Sequence, residues 1–192
     1  MKDKVKDCFL QSIECKKKIL EDNILLDNVV KIAEKIIEAY KTGHRVYICG
    51  NGGSAADSQH FAAELVGRFI IERKGLPATA FTTDSSILTA IGNDYGYDTV
   101  FKRQVEALVE KDDIFIVIST SGNSANLVLA LNEAKKIGAT TIGLLGKTGG
   151  KCKEFCDIPV VVDWTNTPNI QEAHITIIHI ICKMVEDKLY EK

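Results

Sequence analysis

Histidine, glutamate and glutamine recur at helical spacing in two parts of this chain, and its chemistry is legible there first. His60 and Glu64 stand four residues apart in a stretch, residues 54–69, that reads as a helix, so they project from one face. An imidazole and a carboxylate at that spacing can share a metal ion or a substrate, and can equally form an ordinary ion pair on a solvent face. The neighbours Phe61, Ala62, Ala63, Leu65 and Val66 predict a helix buried over most of its girth. Gln171, Ile175 and His179 are likewise spaced by four, which puts Gln171 and His179 on one stripe two turns apart. His179 lies among isoleucines, where a core histidine with a structural hydrogen bond competes with a neutral imidazole suited to acid–base work or metal ligation. His174 is an alternative working group, and His44, just after the helix-ending Gly43, reads as a surface residue.

Two polar loops add a second kind of chemistry. Gly50, Asn51, Gly52, Gly53 and Ser54 follow an apolar run at 45–49; the glycines permit close backbone approach, and Ser54 can cap the next helix. A glycine-rich turn can also be a mere connection, and this one lacks the Gly-Lys-Ser/Thr ending of a nucleotide-binding P-loop. Ser119, Thr120, Ser121 and Ser124 place four hydroxyls within six residues between the most apolar run and a helix. Hydroxyls and free helix N–H groups can surround phosphate oxygens, and the helix dipole favours their charge. An ordinary serine-rich helix cap would need only one of those hydroxyls.

The elements that must position these residues follow from hydrophobic period. Amphipathic stripes predict two N-terminal helices, one through Val5, Phe9, Ile13 and Leu20 and one from Leu26 to Tyr40. Short apolar runs at 45–49, 78–81, 113–119, 140–145 and 158–162 then alternate with helical stretches at 54–69, 85–91, 98–109, 123–137 and 169–190, with a Gly92-Asn-Asp94 loop between the second and third. That alternation predicts a three-layer α/β/α sandwich around a five-stranded parallel sheet, flavodoxin-like, in one domain over 1–192. Residues 1–42 form an N-terminal helical extension whose apolar stripe folds onto its own core or onto a partner subunit.

Composition excludes several classes. With 192 residues, 45% apolar side chains, 26% charged residues and a net charge of -2, nothing advertises a nucleic-acid or anionic-membrane surface. No apolar run approaches the ~20 residues of a membrane helix. The N-terminus mixes charges without a signal-type apolar run, and six scattered cysteines form no Cys-x-x-Cys pair, so buried free thiols in a cytoplasmic protein are expected.

With these residues in view, the chain resembles the sugar-isomerase (SIS) domain family over nearly its whole length. The likeness rests on Cys49-Gly-Asn-Gly-Gly-Ser54, His60-Phe-Ala-Ala-Glu64, Gly92-Asn-Asp94, Ile118-Ser-Thr-Ser-Gly-Asn-Ser-Ala-Asn126, Gly146-Lys-Thr-Gly-Gly150 and Ile170-Gln-Glu-Ala-His174, with His179 beyond. The serine loop marks the family; Glu64 with His179 is the narrower signal. The resemblance implies an aldose–ketose isomerase acting on sedoheptulose 7-phosphate, with Glu64 and His179 as catalytic pair. It implies substrate contacts from Asn51, Gly52, Gly53, Glu64, Asn93, Asp94, Ser119, Thr120, Ser121, Ser124 and Gln171. His60, Glu64, Gln171 and His179 would hold one divalent metal per subunit, zinc by donor type, with no organic cofactor. A homotetramer with sites at subunit interfaces is implied as well. Some relatives carry Arg where this chain has Asn169, which leaves one substrate-side contact open. Two rivals stand beside this reading: a non-catalytic scaffold like the relatives that associate with a replication initiator, which depart at the positions of Glu64 and His179, and a sugar-phosphate sensor. An isomerase of a pentose or hexose phosphate is the nearest competitor among enzymes.

Overall fold

The run Ile114–Ser119 is apolar at nearly every position because both of its faces are covered, as the central strand of a parallel sheet requires. The computed structural model describes residues 1–190. In chain order it contains α1 (Lys2–Glu21), α2 (Asn23–Lys41), β1 (Val46–Gly50), α3 (Gly53–Val66), β2 (Ala78–Ala80), α4 (Ser85–Tyr95), α5 (Val100–Leu108), β3 (Ile114–Ser119), α6 (Ala125–Ile137), β4 (Thr140–Gly146), β5 (Ile158–Val162) and α7 (Thr167–Tyr190). The strands pair in parallel in the order β2-β1-β3-β4-β5. Val46 is opposite Ile114, and Ser119 is opposite Leu145, so β1, β3 and β4 end near one level.

Side chains alternate between the faces of each strand. Ile114, Ile116 and Ile118 pack with Ile32 and Ile36 of α2, Phe61 and Leu65 of α3, and Ile177 and Ile181 of α7. Phe115 and Val117 join Phe101 and Val105 of α5 and Leu127 and Leu131 of α6 on the other side. The result is the expected three-layer α/β/α sandwich.

Helix α1 stands apart. Its only buried residue is Cys15, and Val5, Phe9, Ile13 and Leu20 remain 47% to 70% exposed. The chain's own core therefore leaves that stripe uncovered.

Four sequence expectations need correction. Gly92, Asn93 and Asp94 are not a loop: α4 runs through them to Tyr95 and stops at Gly96, whose φ of +85° is left-handed. A single glycine lowers helix propensity by about 1 kcal/mol without ending a helix that has Asp84 capping its start. Helix α3 ends at Val66, not at 69, because Gly67 follows. Nor is α3 buried over most of its girth: Phe61, Ala62 and Leu65 face the core, while Ala63 and Val66 are exposed. His44 is half-buried, with Nδ1 3.6 Å from Asp113.

Candidate active site

Strand order reverses between β1 and β3, and open parallel sheets take their ligands beyond the carboxyl ends of the strands at such a point. The two polar loops leave from there. Gly52, at φ +56°, turns the first loop into α3. The Ser54 and Ala55 N–H groups at the start of α3 donate back to the Asn51 and Gly52 carbonyls, both at 3.0 Å, which tightens the loop against the helix. Asn51 is held by a reciprocal amide pair: its Nδ2 donates to Asn126 Oδ1 at 3.0 Å, and Asn126 Nδ2 donates back to Asn51 Oδ1 at 2.9 Å. Both amides are thereby engaged. What the first loop offers a ligand is main chain.

In the second loop, Ser119 Oγ accepts the Gly122 N–H at 3.0 Å and Ser121 Oγ accepts the Asn123 N–H at 3.2 Å. Ser124 occupies the N-cap of α6 and makes no capping bond with its hydroxyl. The segment 146–152 braces this loop from behind. The Cys152 N–H donates to the Gly122 carbonyl at 2.8 Å, and Asn123 Oδ1 accepts the Lys151 N–H at 3.1 Å. A Cβ on Gly122 would be driven into the Gly149 carbonyl oxygen, and one on Gly150 would lie 2.6 Å from the Gly122 carbonyl, so only glycine fits at this contact.

Gln171 links the first loop to the helical stripes. Its amide packs against Gly53, where a Cβ would stand 2.6 Å away, and its Nε2 donates to Asp57 Oδ1 at 3.4 Å. Asp57 is 7% exposed, and its Oδ2 has no partner among the described residues. Burial pushes its carboxyl up, with the Gln171 amide and nearby His60 pulling the other way. Asp57, His60 and Glu64 follow one another at helical spacing along α3.

At the far end of that stripe, His60 Nε2 is 2.9 Å from His179 Nε2 and 3.3 Å from Glu64 Oε1. The imidazoles meet edge to face with centroids 5.2 Å apart, and Phe69 lies 5.8 Å from the His179 ring. His179 is half-buried, open enough to meet a substrate. The structure therefore gathers His60, Glu64 and His179, while Gln171 turns to Asp57 and Gly53. Asn93 and Asp94 bond each other at 2.8 Å on the exposed end of α4; nearby, the Tyr97 hydroxyl reaches Asn51 at 3.5 Å.

His174 is fully buried, donates from Nε2 to the Leu145 carbonyl at 3.1 Å, and burial lowers its pKa to about 4 despite that bond. It is a neutral core histidine. Asn169 is buried at the start of α7, with Nδ2 3.4 Å from Glu172. Sequence reasoning missed Asp57 and Asn126 as site residues. The first continues the His60–Glu64 stripe and could have been found by spacing; the second shows its purpose only across the two loops.

Two imidazoles and a carboxylate are the donor types of a zinc site. Among the described residues no group of three His, Cys, Asp or Glu side chains is placed to hold an ion as it stands. Nitrogens of two tetrahedral zinc ligands sit about 3.3 Å apart, so the 2.9 Å between His60 and His179 is hydrogen-bond spacing. The donor chemistry fits.

The comparisons with known proteins bear on this arrangement. The SIS domain family model matches residues 10–146. A phosphoheptose isomerase of Clostridium acetobutylicum is 53% identical over 190 residues, covering 99% of this chain and 97% of that protein. One from Aneurinibacillus thermoaerophilus is 50% identical over 190 residues, covering 99% and 96%. The solved phosphoheptose isomerase of Neisseria gonorrhoeae superposes with a TM-score of 0.91 at 41% identity, covering 97% of this chain and 98% of that one.

Proposed function

The chain belongs to the SIS domain family, and from that premise we propose that it interconverts sedoheptulose 7-phosphate and D-glycero-D-manno-heptose 7-phosphate through an enediol. It is an aldose–ketose isomerase of the phosphoheptose isomerase type. The observation that carries the mechanism is the convergence of Glu64 and His179, from two different helices, on His60.

Moving a carbonyl from C2 to C1 needs one proton transferred between adjacent carbons and one between the two oxygens. In this reading Glu64 takes the C1 proton of the ketose and returns it at C2, while His179 moves the proton between the oxygens. The loops beyond β1 and β3 hold the phosphate through helix N–H groups and the hydroxyls of Ser119, Thr120, Ser121 and Ser124, which fixes the reacting carbons at the other end. Asn93, Asp94 and Gln171 complete the sugar contacts. His60, Glu64, Gln171 and His179 would hold one divalent ion, zinc by donor type, which supplies polarisation of the substrate oxygens.

The exposed stripe of α1 and the exposed Ala63 and Val66 of α3 support a homotetramer with sites at subunit interfaces. Among the described residues no helix is long and apolar enough to cross a membrane, and six free thiols suit the reducing cytoplasm. The product would supply nucleotide-activated heptose for bacterial surface polysaccharide.

A panel of ketose phosphates with five, six and seven carbons tests the substrate. The seven-carbon ketose should give the highest kcat/KM; faster turnover of a pentulose or hexulose phosphate would overturn the assignment.

A further inference from the structure

Helices α3 and α7 carry every member of the proton-transfer cluster, so whatever fixes their spacing fixes the cluster. Beyond Gly67 the chain turns back along the end of α3 on its way to β2. Inside that turn lie Arg73 and Glu186, whose side chains are 2% and 1% exposed and whose Nε and Oε1 are 2.9 Å apart. Glu186, on the last turns of α7, accepts main-chain N–H groups from Phe69, Ile70 and Ile71 at 3.1, 2.7 and 2.8 Å. Arg73 donates from Nη2 to the Glu64 carbonyl and from Nη1 to the Leu65 carbonyl, both at 2.9 Å. The last carbonyls of a helix have no partner within it, and one guanidinium takes two of them here, including that of Glu64 itself.

The same bracket reaches His179. Phe69, whose N–H Glu186 holds, sets its ring against the His179 imidazole with the planes inclined by 35°. The pair thus touches Glu64 through its main chain and His179 through Phe69, and its hydrogen bonds reach neither phosphate loop.

A buried ion pair is a poor device for stability alone, since apolar residues of similar volume often serve as well or better. What it supplies is fixed geometry. The guanidinium presents five donors in a rigid fork, and Glu186 gathers three successive main-chain donors of one loop. We propose that the Arg73–Glu186 pair is a positioning device for the isomerisation, holding α3 against α7 at the spacing that Glu64 and His179 need to work together. This rests on the catalytic reading of those two residues given above.

The test compares the parent with Arg73→Lys, which keeps the charge and loses the fork, and with Phe69→Leu, which keeps the ion pair and removes the ring from His179. kcat and KM are measured with sedoheptulose 7-phosphate, together with the inhibition constant of inorganic phosphate as an independent reading of the loops. Circular dichroism establishes how much of each variant is folded. Misplacement of reacting groups by about 1 Å costs on the order of 100-fold, so Arg73→Lys should lower kcat at least about tenfold per folded chain. KM and the phosphate constant should stay within about twofold, because the loops are untouched. Phe69→Leu should lower kcat several-fold. An unchanged kcat in both variants overturns the proposal, as does a fall in kcat matched by an equal rise in KM and in the phosphate constant. Crystal structures of parent and variants supply a reading free of any substrate. The His60–His179 spacing should widen or skew in Arg73→Lys, or in Phe69→Leu if the first variant does not fold, and an unmoved cluster refutes the proposal. A parent chain inactive on every ketose phosphate would instead sink the functional reading, and the structures would still decide the positioning.

Discussion

The Nε2 atoms of His60 and His179 stand 2.9 Å apart, which brings the working groups of α3 and α7 within hydrogen-bond distance of each other. Glu64 Oε1 is 3.3 Å from the same His60 nitrogen. The three groups form one unit, and groups acting as a unit lose function non-additively. His60→Ala should therefore lower kcat by about 10- to 100-fold, and the double variant with His179→Ala should be little worse than His179→Ala alone. Steady-state rates of the three variants check this; effects that multiply would separate His60 from the unit.

The Asn51–Asn126 amide pair joins the loop after β1 to the helix after β3. Asn126→Ala leaves the half-buried Asn51 amide with only the 3.5 Å contact from the Tyr97 hydroxyl, a loss toward the lower end of about 1–3 kcal/mol. Because that loss falls on the phosphate end, KM for the sugar phosphate should rise about tenfold or more, with kcat changed far less. A fall in kcat at unchanged KM would place the pair's influence at the chemistry instead.

His174 makes stability depend on pH. In the unfolded chain it takes a proton near its ordinary value of 6.5, while burial lowers it to about 4 in the fold. Between those values the unfolded state binds more protons. Its contribution is complete above about pH 6.5 and declines as pH falls toward 4, with a slope of at most about 1.4 kcal/mol per unit. Urea unfolding at pH 7 and pH 5 should show a smaller acid loss for His174→Gln, which can still donate to Leu145 without titrating. Equal losses in parent and variant would contradict the account.

The uncovered stripe of α1 predicts assembly. Phe9 is 68% exposed and Ile13 47% exposed, more apolar surface than a lone chain usually leaves on one helix. Sedimentation should find four chains together in the parent and smaller species after Phe9→Glu with Ile13→Glu. A monomeric parent, or an assembly indifferent to both charges, would refute it.

The sheet was legible because Ile114–Ser119 is buried on both faces and its neighbours share that short apolar period, which local sequence records directly. His60 and Glu64 were legible as a pair because four-residue spacing is a local fact. What escaped detection was tertiary. Nothing near Arg73 signals that its fork closes α3 against Glu186, more than a hundred residues away, nor does the sequence around Asn126 point to Asn51. Gly92 misled because glycine suggests a break, whereas Asp84 and the left-handed Gly96 bound α4 on either side of it. The exposed face of α3 misled for a different reason: Ala63 and Val66 read as core, and a single chain leaves them in solvent.

The central claim is that Glu64 carries the proton between the carbons. The most direct measurement is turnover of sedoheptulose 7-phosphate by Glu64→Gln, which keeps the size and hydrogen-bonding reach of the side chain and removes the base. The account predicts a fall in kcat of at least about 100-fold, in folded protein whose inhibition by inorganic phosphate is unchanged. Turnover within a few-fold of the parent would contradict it.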